Sequence, residues 1–159
     1  MNGLLRMMNW VSMTNSMAFS FLLDWREPAI YQGYLTYATL NCQYQLKECY
    51  EQDHRRAHAF MLRLFADWRG DGLSHAWPSW GTDVPLYNGI LERWRDPNHE
   101  VLTPWLLAAC DRHTQESRDD TENSKDFTDR RLTRTPVEIL MVLRLRQWMG
   151  LANPVIDIR

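Results

Sequence analysis

Between Ala57 and Trp68 the apolar side chains return once per helical turn: Ala57, Met61, Leu64, Phe65 and Trp68, with Arg55, Arg56, Arg63 and Arg69 on other faces. Spacings of three and four place side chains on one side of an α-helix, whereas a half-buried strand needs strict alternation. The same spacing runs through most of the chain, and no alternating run of note competes with it. Helices with one apolar face bury it against one another. The predicted fold class is therefore all-α: a single-domain bundle of about five to seven helices over residues 1–159, with an acidic helix end and loop at 111–134.

Turn and cap residues divide the pattern. A first helix is predicted from about residue 9 to 23, ending near Asp24-Trp25-Arg26-Glu27-Pro28. There the proline biases Glu27 away from helix and itself fits the first turn of the next one. Over 29–50 the stripe Tyr31, Leu35, Ala38, Cys42, Leu46 and Cys49, widened by Tyr34, Tyr37 and Tyr44, predicts a central helix. The helix over 54–69 continues it or follows a break near Asp53, and Gly70-Asp71-Gly72 ends it. Residues 70–83 read as a loop packed down by Trp77, Pro78 and Trp80, followed by a short helix carrying Tyr87, Ile90, Leu91 and Trp94. Thr103-Pro104 and Thr135-Pro136 each offer a threonine cap with proline at the first helical position. Glu138 stands three residues after Thr135, the spacing of a capping box. The last helix carries Val137, Leu140, Met141, Leu143 and Trp148, and Gly150 is placed to end it.

A chain of 159 residues needs no metal or disulfide to complete its core. Eight Trp, six Tyr and five Phe, spread from Trp10 to Trp148, point to one distributed core rather than a single aromatic site. The net charge of −2 argues against a general nucleic-acid binder, which displaces counterions with a basic surface. Arg far outnumbers Lys, which occurs at Lys47 and Lys125 alone; a coding bias accounts for that without any recognition role.

Cys42, Cys49 and Cys110 are an odd set for a disulfide framework. On one helix Cys42 and Cys49 would be separated by a rise of roughly 10 Å, beyond disulfide reach. Reduced thiols fit a cytoplasmic protein. Arg6 and the apolar run after it loosely resemble a leader, but Asn9, Ser12, Thr14, Asn15, Ser16 and Ser20 interrupt the run and no convincing cleavage site follows. The run is also too polar for a membrane span and reads as the first core helix, with Met7 and Met8 as alternative starts.

Few residues carry recognisable chemistry. His54 and His58 lie one turn apart, a spacing that can hold a metal, yet further ligands and an HExxH motif are missing and a solvated helix face is the expected reading. His113 falls on the apolar side of its helix near Ala109 and Cys110, where a hydrogen-bonded, partly buried imidazole is expected before a catalytic base or a Cys110–His113 nucleophile. Trp77, Trp80, Trp94 and Trp105 are core residues first and interface anchors second. Walker, GxGxxG, GxSxG and CxxC patterns do not occur. No catalytic residue, cofactor or metal is therefore expected.

The segment from Asp111 to Asp129 is different. Asp111, Glu116, Asp119, Asp120, Glu122, Asp126 and Asp129 stand against Arg112, Arg118 and Lys125, with few apolar residues among them. A solvated connection is one reading. The other is an acidic docking surface that steers a basic partner, and Asp111, Glu116, Asp119, Asp120, Glu122 and Asp126 are its candidate contacts. The Asp119-Asp120 pair alone is a weak cation signal.

The C-terminal stretch from Thr133 through Thr135-Pro136-Val137-Glu138-Ile139-Leu140-Met141 to Trp148-Met149-Gly150-Leu151, followed by Asn153-Pro154-Val155-Ile156-Asp157, carries a family likeness over roughly the last 27 residues. It resembles the closing helix and glycine turn of helical bacterial immunity proteins, notably those paired with PoNe-type DNase effectors. Arg134-Thr135-Pro136 stands where that family has an aromatic-rich lead. The resemblance implies a non-enzymatic cytoplasmic protein that binds a cognate toxin, delivered by a type VI or related secretion system, and blocks its active site. It implies no direct contact with nucleic acid or membrane. The alternatives are a phage or mobile-element inhibitor of a host protein, and a small metal-dependent hydrolase using His54, His58 and nearby carboxylates.

Overall fold

In the computed structural model the described residues are 9–44, 55–71, 73, 77, 79–117, 127 and 130–155. Among them every regular element is helical. Helix α1 (Trp10–Leu22) opens on Asn9, whose side chain accepts the Val11 N–H at 2.9 Å. Trp10, Met13, Met17, Ala18 and Phe21 form its buried face. Thr14 and Ser20 are buried with them, and their hydroxyls donate to the carbonyls one turn back, of Trp10 and Ser16. The helix ends where Asp24 takes φ +61°. A short polar side chain tolerates that left-handed backbone. The Trp25 N–H then returns to the Ser20 carbonyl at 2.9 Å.

Helix α2 (Arg26–Tyr44) follows at once, with Pro28 in its first turn, and lies along α1. Its buried face is not the predicted stripe. Tyr31 is 65% exposed and Ala38 is exposed, while Ala29, Gly33, Thr36, Tyr37, Thr39 and Leu40 point inward. The reason is close approach. A Cβ at Gly33 would sit 2.3 Å from the Phe65 ring, so the helix packs by its small residues. Thr36 and Thr39 satisfy their hydroxyls on the carbonyls of Gln32 and Leu35. The side chains of Cys42 and Tyr44, together with Leu46 and Cys49, lie outside the described residues, as does the question of a break near Asp53.

The central helix is instead α3 (Arg56–Arg69), which touches α1, α2 and three later elements. Ala57 through Leu62, then Leu64 and Phe65, are all buried, which no one-faced helix would show. Gly70 ends it at φ +61° with its N–H on the Ala66 carbonyl. Leu73, Trp77 and Trp80 pack against the core, and a 3-10 turn (Ser79–Gly81) leads into α4 (Pro85–Arg93), with Pro85 at its start. Pro78 lies outside the described residues. Arg56 grips Asp83 with two bonds of 2.8 Å, and Arg63 reaches the Gly81 carbonyl and Asn88.

Helix α5 (His99–Glu116) starts five residues before the predicted Thr103-Pro104 boundary, on an Asn98 cap that accepts the Glu100 N–H at 3.0 Å. Thr103 donates back to the His99 carbonyl instead of capping. Pro104 lies inside the helix, and it is exposed together with Glu100, whose carbonyl it leaves open to water. Trp94 is buried, and Trp77, Trp80 and Trp105 pack onto the core as expected. After the short α6 (Arg130–Thr133), helix α7 (Val137–Trp148) closes the core with Val137, Ile139, Met141, Val142 and Leu145. Gly150, at φ +72°, lets the Leu151 N–H return to the Arg146 carbonyl at 2.9 Å. Among the described residues no helix is long and apolar enough to cross a membrane.

Candidate functional site

Two histidines and one phenylalanine meet in the interior. His113, on α5, is buried, and its Nδ1 lies 2.9 and 3.1 Å from the two carboxylate oxygens of Glu138 on α7. Its Nε2 lies 2.9 Å from the Leu132 carbonyl on α6. The expectation of a satisfied, buried imidazole holds. The capping-box reading of Glu138 does not: α7 begins on Pro136 with no side-chain cap bond, and the carboxylate is fully buried. Register explains it. Glu138 shares its helix face with Met141, Val142 and Leu145, so it turns toward α5 rather than toward its own N-terminus.

Phe127 fills the space beside this pair, its ring 4.2 Å from that of His113 and 6.2 Å from that of His58. His58 is therefore not on a solvated face. It is buried on α3, its Nε2 is 2.9 Å from Asn15 Oδ1, and Trp10 meets it edge-on. A neutral ring donates Nε2–H to that oxygen. Burial, with the charge of Arg55, pushes its pKa down to about 3. His54 lies outside the described residues, and among those described no group of three histidine, cysteine or carboxylate side chains could hold a metal ion.

Electrostatics bind the pair together. Burial opposes charge on His113, but the hydrogen bond and charge of Glu138, with the carbonyls of Leu132 and Thr133, outweigh it and raise its pKa. Burial raises that of Glu138, against the pull of His113 and Arg112. The Cys110 thiol is pushed up by burial, then by Glu138 and Asp111, which is the reverse of what a nucleophilic thiolate requires. Both ring nitrogens of His113 already face acceptors, so neither is open to deprotonate a thiol.

Of the sequence candidates for docking, Asp111 is exposed on α5. Glu116 is half-buried in an ion pair with Arg112 at 3.5 Å, and that guanidinium also covers the Tyr87 ring. Asp119, Asp120, Glu122 and Asp126 lie outside the described residues, as does Asp129. Sequence reasoning passed over Phe127, although a single aromatic within an acidic run is itself a signal of anchoring. It also passed over an apolar corner where Leu23 and Trp25 are 55% and 57% exposed. The left-handed Asp24 between them is held by Trp148 Nε1 at 2.6 Å and by Arg144 at 3.5 Å. Comparison of the chain with family models, with curated proteins and with solved structures finds no match.

Proposed function

We propose that the protein binds and neutralises a cognate bacterial effector toxin, a type VI secreted nuclease, by occluding its active site within the cytoplasm. The acidic residues Asp111, Glu116, Asp119, Asp120, Glu122 and Asp126 supply the docking charge. The observation that carries this reading is the burial of Phe127, which ties the acidic stretch to the core immediately after Asp126. A fixed anchor limits the conformational entropy that a charged segment loses on binding. Nuclease sites are basic because they hold phosphate, so a carboxylate surface competes for that charge without doing chemistry. The C-terminal likeness to immunity proteins supports the same class of partner.

The test starts with a pull-down from the native host, followed by binding kinetics to the captured partner at low and high salt. Asp119→Lys combined with Asp120→Lys should slow association at low salt, and high salt should shrink the difference. The helical circular-dichroism spectrum should not change. A double variant that associates like wild type at low salt overturns the acidic docking surface. A loss on Trp25→Ala in that event would relocate the interface to the apolar corner.

A further inference from the structure

The His113–Glu138 pair stands where α5, α6 and α7 meet, with Phe127 against one imidazole face. We propose that it is a proton-controlled clasp: a proton shared between His113 and Glu138 keeps Phe127 and α6 seated on α5 and α7, and its loss as pH rises releases them. The geometry limits the proton arrangements. Nε2 faces a carbonyl, which only accepts, so it must donate. Nδ1 faces a carboxyl group, and two arrangements satisfy it. In one, an imidazolium donates to a carboxylate; in the other, a carboxylic acid donates to a neutral ring. Both hold the same number of protons, and both keep all the bonds.

Removing one proton breaks that balance. Either Nδ1 turns a lone pair on the carboxylate at 2.9 Å, or Nε2 turns one on the Leu132 carbonyl at 2.9 Å. The two side chains are 6% and 0% exposed, so water does not mend the loss. The surrounding groups do not replace the missing proton. On α5, Arg112 acts on Glu138 from a distance while paired with Glu116, and Cys110 and Asp111 add no positive charge. On α3, His58 is neutral behind Phe127, and α4 presents Tyr87 to Arg112. α6 offers the carbonyls of Leu132 and Thr133.

The sign of the pH dependence follows. The pKa of His113 is raised above 6.5 and that of Glu138 above 4.5, so the folded pair holds its protons more tightly than the unfolded chain does. The contribution of His113 is complete below 6.5 and is lost as pH rises through its folded value; that of Glu138 declines from 4.5 upward in the same way.

The Leu132 carbonyl also accepts the Thr135 N–H at 3.1 Å, which provides a reporter. The experiment combines imidazole NMR of His113 with amide hydrogen exchange at Thr135, corrected for intrinsic base catalysis, from about pH 6 to about pH 9. We expect the ring to titrate above 6.5. Exchange at Thr135 should speed by up to about tenfold per pH unit across that titration, while amides in α3 hold steady. In Glu138→Gln the side chain carries no charge and its amide can either donate to the neutral ring or accept from the protonated one, so the dependence across this window should vanish. A ring that titrates at or below 6.5, or Thr135 protection that stays constant through the titration, overturns the clasp. Should Glu138→Gln fail to fold, the two wild-type measurements decide alone.

Discussion

The guanidinium of Arg146 reaches three backbone carbonyls from inside the core: Trp94 at 2.6 Å, Asp96 at 2.8 Å, and Ala152 through Nε at 3.2 Å. One side chain thereby joins the loop between α4 and α5 to the turn after α7. A planar fork of five donors is the only side chain suited to that work. Arg146→Met keeps much of the volume but leaves the buried Trp94 carbonyl and the more accessible carbonyls of Asp96 and Ala152 without this donor. Losing a donor to a buried carbonyl costs about 1–3 kcal/mol and to an accessible one less, so the variant should lose about 2 kcal/mol or more against urea at constant m-value. A loss under about 1 kcal/mol would mean that water enters and serves those carbonyls. Nothing in the sequence singles this arginine out among sixteen, because its acceptors are backbone atoms and leave no trace in residue types.

Helix α2 shows what periodicity misses. Tyr31 and Ala38 drew the predicted face outward, whereas Tyr37 from its predicted flank is buried, beside Gly33, Thr36 and Thr39, which no apolar count selects. Gly33→Ala improves local helix propensity by about 1 kcal/mol, yet its methyl would meet the Phe65 ring at 2.3 Å. Overpacking of this kind costs about 1–3 kcal/mol, so the net effect should be destabilising, and pairing it with Phe65→Leu should recover part of the loss. An Ala variant as stable as wild type would show that α2 slides freely on α3. Other boundaries were legible because their signals are local. Gly70 and Gly150 each act within one turn of their own backbone. The signal at Thr103-Pro104 was local too, but the Asn98 cap begins the same helix a turn earlier and absorbs the proline. At Glu138 a capping spacing and an inward face point to different partners, and the partner 25 residues away prevails. The candidate site was half visible for the same reason: His113 could be placed on an apolar side, but not matched to a carboxylate on another helix.

Across the whole molecule the two buried histidines act on opposite limbs of the stability curve. His58 is held near 3, below its ordinary 6.5, by burial and then by Arg55. Its contribution is present above 6.5 and declines as pH falls toward 3, by about 1.4 kcal/mol per unit at most. His58→Gln retains a donor for Asn15 and should flatten the acid limb alone, read by urea unfolding from about pH 4 to about pH 7. An acid limb as steep as wild type would assign it to the carboxylates instead. The contacts between α1 and α7 have a different consequence. The Phe21 ring lies 5.0 Å from that of Trp148, tilted against it, and Arg144 donates to the carbonyls of Phe21 and Leu22 across 123 and 122 residues. A ribosome adding about 5–20 residues per second needs roughly 6–24 s to travel that distance. Trp68 can cover one side of Phe21 early, at 5.7 Å, but throughout that interval the side that Trp148 covers stays open, and the nascent chain remains exposed there to chaperones and proteases until α7 emerges.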